Sequence, residues 1–477
     1  MQAGLVVSSA RRVARGLLAF SLPLLAASAA LAEEAAAETP VANPGDTAWV
    51  LAATGLVLMM TLPGLALFYG GLVRAKNVLN VFMQCFLAAG VVGVLWVLCG
   101  YSLAFSSGGG SFIGNFAKAG LAGVDLTSVI ANYGTDPVRH IPEYIFVMFQ
   151  GMFAIITPAL ILGAVAERMK FSAFLAFISL WVLLVYCPLA YMVWGGGWIF
   201  QAGAIDFAGG LVVHMSSGFS ALVAALMVGK RRGFGKDPMP PHSMPLCLIG
   251  AGLLWAGWFG FNAGSALSAS PLAAVAFLNT STATSTAVVI WCAIEWMHRG
   301  KPTALGAATA AVAGLVAVTP ACGNVSPIGA IAVGAGVAVV CYIAVTFLKP
   351  AFGYDDSLDA FGVHGMGGAW GALASGIFAT SLGSGIESNG QQILVQLKSI
   401  GFTAVFAPVM SIGILLVLKM VFGSLRVSDE AEFEGLDISE HSESAYSLGS
   451  GASMGAGAHG AGAPSPSFGA AAAHKTA

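Results

Sequence analysis

The stretch Asp206-Phe207-Ala208-Gly209-Gly210-Leu211-Val212-Val213-His214 sets an acid, a phenylalanine, glycine and a Val-His pair within one apolar run. Asp359-Ala360-Phe361-Gly362-Val363-His364 does so again later in the chain. Each lies in a stretch long enough to cross a bilayer as a helix. Working outward from these two, such stretches run roughly over 48–72, 78–106, 141–166, 171–199, 208–229, 243–266, 270–297, 303–320, 327–348, 358–382 and 392–423, eleven in all. Phe68-Tyr69-Gly70-Gly71 closes the first span, and Trp258-Phe259-Gly260-Phe261-Asn262-Ala263-Gly264 occupies the sixth. Spans one to five and six to ten therefore read as two copies. Because five is odd, the copies must face opposite ways, which puts a transport path at the repeat interface. The expected fold is all-α: a polytopic membrane protein of eleven transmembrane helices with inverted five-helix repeats. Chance similarity in a Gly/Ala-rich membrane protein is the competing explanation of so short a motif.

Composition agrees. Of 477 residues, 57% are hydrophobic and 9% charged, against about a quarter charged in ordinary soluble domains. The scattered Lys and Arg offer no basic face for nucleic-acid phosphates. Cysteines at 85, 99, 187, 247, 292, 322 and 341 never form a CxxC and read as small buried hydrophobes. Arg11, Arg12 and Arg15 precede an apolar run ending in Ala30-Leu31-Ala32, which reads as a signal peptide over 1–32. A periplasmic segment, 33–46, follows. With that start outside, the expected inner loops hold Arg74, Lys76, Arg168, Lys170, Lys230, Arg231, Arg232, Lys236, Arg299, Lys301, Lys349 and Arg426, and the outer loops only Lys118 and Arg139. The signal peptide implies a multi-pass protein of a bacterial-type inner membrane, and this asymmetry sets its orientation, N-terminus periplasmic and C-terminus cytoplasmic. The transporter domain spans 47–425, with repeats at about 48–230 and 243–382 and a last helix at 392–423. An acidic region at 426–448 and a Gly/Ala-rich tail at 449–477, read as disordered, complete the chain.

His140, His242, His298, His441, His459 and His474 fall in loops or tails, leaving His214 and His364 within spans. Ionisable groups at membrane depth are costly and usually face an interior path or each other. A neutral imidazole donates from one nitrogen and accepts at the other, so a pair can pass a hydrogen bond or proton. A satisfied interhelical hydrogen bond is the alternative. Phe149 and Phe153 stand four apart and share a helix face. Trp194 precedes three glycines, and Phe261 stands four residues before Ser265. Converging π faces and a hydroxyl can replace the water around a small cation, although ordinary packing explains any single aromatic. Asp206, at the expected outer start of span five, can cap helix N–H groups and favour a cation. No GxxxxGK[ST] or strand-borne GxGxxG occurs, so ATP-driven transport has no support.

These segments, with Pro63–Gly71, Gly163–Arg168, Met192–Gly197, Val318–Gly323 and Phe361–Gly365, closely resemble bacterial ammonium transporters of the Amt/Mep/Rh family. The resemblance covers about 46–447. It implies a homotrimer with one pore per subunit, transport of ammonium and its analogue methylammonium, no enzymatic activity and no cofactor. By position, Phe153, Trp194 and Ser265, with Phe149 close by, match the outer ammonium-recruitment site, and Phe153 and Phe261 the phenylalanine gate below it. His214 and His364 match the paired histidines of the pore, Asp206 the aspartate supporting recruitment, and Thr319 a deeper polar position. Glu434–His441 and Ala445-Tyr446 resemble a cytoplasmic motif that couples subunits and supports block by a PII-type signalling protein. The Rh branch, with a different conducted molecule, and a sensor role are the alternatives.

Overall fold

The computed structural model describes residues 41–131, 139–382 and 385–446. The expected signal peptide and the tail at 449–477 lie outside the described residues. A helical run stands at each of the eleven expected positions: α1 Pro44–Leu72, α2 Ala75–Phe105, α3 Glu143–Val165, α4 Phe171–Gln201, α5 Gly210–Val228, α6 Met244–Gly264, α7 Pro271–Arg299, α8 Ala304–Val318, α9 Pro327–Phe352, α10 (Phe361–Gly365 continuing as Met366–Phe378) and α11 Gly390–Phe422. Among the described residues nine helices are long and apolar enough to cross a membrane; α8, at 15 residues, and the glycine-rich α10 are not in that set. Two short helices, α12 Asp429–Glu434 and α13 Leu436–His441, follow. His298, expected in a loop, falls in the last turn of α7, its Nδ1 2.7 Å from the Tyr342 hydroxyl.

Local chemistry sets most helix starts. Asn43, Ser243, Ser270, Thr303, Ser326 and Asn389 each place a side-chain oxygen on an N–H of the first turn of α1, α6, α7, α8, α9 and α11. Four of these helices add proline in the first turn, where its missing N–H costs nothing. Helix α3 is apolar all round and 94% of its central window is buried, as a helix enclosed by others must be. At one end of the bundle the short strands β1 Val41–Ala42, β2 Val129–Ala131 and β3 Arg139–Pro142 form a sheet in the order β1-β3-β2, with β1 parallel and β2 antiparallel to β3.

The two repeats meet through matching helices. Gly250 of α6 lies on Phe68 of α1, and Gly260 on Ala53, so α1 and α6 run past one another in opposite senses. Helices α5 and α10 do the same: Gly218 lies on His364 and Gly365, while Gly368 lies on His214 and Met215. A Cβ at Gly218 would stand 2.0 Å from the backbone nitrogen of Gly365. No side chain fits there, and glycine lets the two backbones close up. This antiparallel matching of first with sixth and fifth with tenth helix is what inverted repeats require.

Candidate functional site

Helices α5 and α10 both begin on a π-helical turn, Gly210–Met215 and Phe361–Gly365, and each turn holds a histidine. Neither start has a neighbouring Ser or Asn cap. The Asp206 carboxylate instead accepts from the backbone nitrogens of Gly209 (2.9 Å), Gly210 (2.5 Å), Leu211 (2.8 Å) and Val212 (3.3 Å). Asp356 accepts from Ala360 (3.0 Å) and Phe361 (2.8 Å). Orphan N–H groups at a buried helix start need such partners, and the helix dipole favours a negative charge there. The sequence repeat pairs Asp206 with Asp359; the capping geometry pairs it with Asp356, and Asp359 forms an ion pair with Lys349 at 2.6 Å. The spacing explains the correction: 206 to 214 and 356 to 364 are both eight residues.

Between the capped heads the imidazoles of His214 and His364 face each other, Nδ1 to Nδ1 at 3.3 Å, with ring planes 20° apart. Both are buried. One must donate and the other accept, so the contact suits a neutral pair. The Nε2 of His214 has no protein partner. The rings border a narrow cavity whose other walls are Met60, Leu65, Phe68, Ile156, Leu160, Leu254, Val312, Trp258 and Phe261. Those walls are almost wholly apolar. An unpaired polar atom in such a setting costs about 1–3 kcal/mol, and His214 carries one such atom beside an apolar cavity. His364, Phe68 and Val312 also border a second, more polar cavity reaching Ser357 and Asp359. His364 therefore stands between the apolar cavity and this more polar vestibule.

The aromatics expected at a recruitment site converge into a ladder. Trp194 stands edge-on to Phe153 (centroids 6.2 Å, 89°), Phe153 stacks on Phe261 (4.0 Å, 22°), and Phe261 lies 6.1 Å from His214. Phe149 packs 5.0 Å from Phe153 and lies under Gly264. Ser265, half-buried, donates to the Phe261 carbonyl at 2.8 Å. The Trp194 indole donates to the Asp206 backbone carbonyl at 2.8 Å, so Asp206 holds Trp194 through its main chain and caps α5 through its side chain. Thr319 does not line the apolar cavity. Its hydroxyl accepts from the Trp258 indole at 2.8 Å, and Trp258 stacks on His214 (5.3 Å, 22°). Phe68 and Trp258 were read from sequence only as parts of repeat segments, not as site residues, and Asp356 was not singled out; the repeated eight-residue offset was the available signal for Asp356.

At the vestibule end, buried charges tie the repeats together. Arg231, just past α5, bonds Glu167 (2.9 Å) and Asp355 (2.8 Å), and Arg74 joins Glu167 at 3.0 Å. Burial alone would raise both carboxyls, yet the neighbouring arginines hold Glu167 and Asp355 below the usual carboxylate range. The C-terminal helices dock on this face. Asn77 accepts from the Leu436 nitrogen at 2.9 Å, the Asn80 nitrogen donates to Asp437 at 2.8 Å, and Lys76 donates to the Glu432 carbonyl at 3.0 Å. Gly435, at φ +114°, turns between α12 and α13 where a Cβ would strike Lys76 at 2.6 Å.

A multi-pass helical bundle whose inverted repeats pack around an apolar cavity has the architecture of a membrane transporter. The sequence matches the family model described as the Ammonium Transporter Family over residues 48–446. An ammonium transporter of Aquifex aeolicus (strain VF5) is 47% identical over 410 residues, covering 85% of this chain and 94% of its own. One of Bacillus subtilis (strain 168) is 46% identical over 411 residues, covering 84% and 98%. Among solved structures, a Sensor Amt Protein superposes with a TM-score of 0.76 at 29% identity, covering 83% and 98% of the two chains, and Saccharomyces cerevisiae Mep2 with 0.75 at 33%, covering 81% and 88%. The chain belongs to the Ammonium Transporter Family.

Proposed function

We propose that this ammonium transporter recruits the hydrated cation at Trp194, Phe149, Phe153 and Ser265, transfers a proton from it to water at the mouth beside the phenylalanine gate, and passes neutral ammonia along His214 and His364. The observation carrying this reading is the ring ladder from Trp194 through Phe153 and Phe261 to the paired imidazoles. Moving an ion into an apolar interior costs tens of kcal/mol by idealised solvation, whereas a neutral amine costs far less. Potassium has no proton to lose and is turned away on that ground. Aromatic faces favour a desolvated cation by about 2 kcal/mol or more, and the polar Nε2 of His214 supplies a partner for the neutral species within.

The same reading has the chain cross a bacterial inner membrane eleven times as a homotrimer, with Trp194 at the periplasmic mouth and α12 and α13 at the cytoplasmic one. The inner-loop excess of Lys and Arg supports this orientation. The docked C-terminal helices then present the surface on which a PII-type signalling protein blocks the vestibule. Uptake of labelled methylammonium by cells lacking other ammonium transporters tests the function. Saturable uptake dependent on this chain is expected; binding without flux would favour a sensor.

A further inference from the structure

We propose that Gln396 is a positioning residue for the cation-recruitment site, holding Trp194 through the segment that carries Asp206. The inference rests on the reading of Trp194 as part of that site. Gln396 lies on α11, outside both repeats, and is fully buried. Its Oε1 accepts from the Ile205 nitrogen at 2.8 Å, and its Nε2 donates to the Ile205 carbonyl at 2.8 Å and the Ala372 carbonyl of α10 at 2.8 Å. One side-chain amide thus pairs with both backbone groups of a single residue, as a neighbouring strand would, and pins it to the second repeat. One turn earlier, Gln392 donates to the Gly203 carbonyl at 3.1 Å and to Gln396 Oε1 at 3.3 Å.

The residue after Ile205 is Asp206, whose carbonyl takes the Trp194 indole N–H and whose carboxylate caps α5. Phe207 is fixed in turn by its nitrogen on the Pro320 carbonyl at 3.1 Å. The segment from 203 to 207 has no regular structure of its own; α11 supplies its bonds on one side and the 319–323 turn on the other. Trp194 owes its perpendicular stance over Phe153 to a carbonyl that this clamp locates. A side chain of equal length without the amide leaves the Ile205 and Ala372 groups unpaired, and buried backbone groups in that state drive the segment to shift until they find partners.

The test is concentration-dependent uptake of labelled methylammonium by wild type, Trp194→Leu, Gln396→Met, Gln396→Glu and the double variant Trp194→Leu/Gln396→Met. Gln396→Met is expected to raise the half-saturation concentration roughly five- to tenfold, the equivalent of one lost hydrogen bond, with maximal rate per transporter nearly unchanged. Gln396→Glu, which still accepts from Ile205, is expected to fall between, and carries the test should Gln396→Met fail to reach the membrane. The double variant is expected to show no larger shift than Trp194→Leu alone. If Trp194→Leu shifts half-saturation but both Gln396 variants change only maximal rate or protein level, the positioning role is overturned while the recruitment site stands. If Trp194→Leu itself leaves half-saturation unchanged, the recruitment reading fails and the positioning role falls with it.

Discussion

The heads of α5 and α10 share a plan and differ in strength. Each has an acid eight residues before its histidine, a π-helical first turn and a glycine at the crossing. Yet Asp206 takes four backbone N–H groups and Asp356 two, and the Asp206 side is further clamped by Trp194 and Gln396. The Asp356 side has its acid flanked by Asp355 and Asp359, both bound to cations. Duplicated architecture is thus braced by neutral side-chain amides and an indole beside Asp206, and by ion pairs beside Asp356 next to the polar vestibule.

The comparison breaks most severely at Arg231, the bridge between the end of α5 and the start of α10. Arg231→Gln leaves Asp355 without its paired cation and Glu167 with Arg74 alone, and breaking a buried pair costs about 3–5 kcal/mol; a large fall in the melting temperature of purified protein is expected. The pH dependence follows in sign. Both carboxyls are held low in the folded protein, so their stabilisation is complete above the ordinary carboxylate range of about 4 and is lost as pH falls below it. Wild type should lose stability steeply on acidification there, and Arg231→Gln less steeply.

A smaller effect is expected at the crossing itself. Gly218→Ala places a Cβ 2.0 Å from the Gly365 nitrogen, and overpacking of this kind typically costs about 1–3 kcal/mol. Melting temperature and methylammonium uptake should fall together, because the imidazoles are carried apart. Gly401→Ala in α11, where a Cβ meets nothing within 4 Å, should be neutral or stabilising by up to about 1 kcal/mol. Smaller still is the difference between caps: Asp206→Asn should destabilise more than Asp356→Asn, each within the roughly 0.5–2 kcal/mol of a lost helix cap. Equal losses in thermal unfolding would show that the number of N–H bonds does not set the asymmetry.

Helix positions were legible in the sequence because long apolar runs admit few other readings, and His214 and His364 because ionisable side chains within such runs are rare. The ladder of Trp194, Phe153 and Phe261 was legible as residue types but not as a geometry, since spacing along one helix says nothing of rings on another. Asp356 was masked by Asp359, which stands closer to the Phe-Gly-Val-His motif. Gln396 carried no signal at all: an amide within an apolar helix looks the same whether it meets a neighbouring helix or a loop. Thr319, expected at a deeper polar position, accepts from the Trp258 indole, which stacks on His214.

The central claim is tested most directly by recording ammonium-driven and potassium-driven current and flux from purified protein in liposomes, comparing wild type with His214→Leu/His364→Leu. The account expects wild type to carry nitrogen and exclude potassium, and the double variant to lose about tenfold or more of its flux or to lose that discrimination, one paired hydrogen bond being enough to supply such a factor. Full ammonium rate with full exclusion of potassium in the double variant would contradict it.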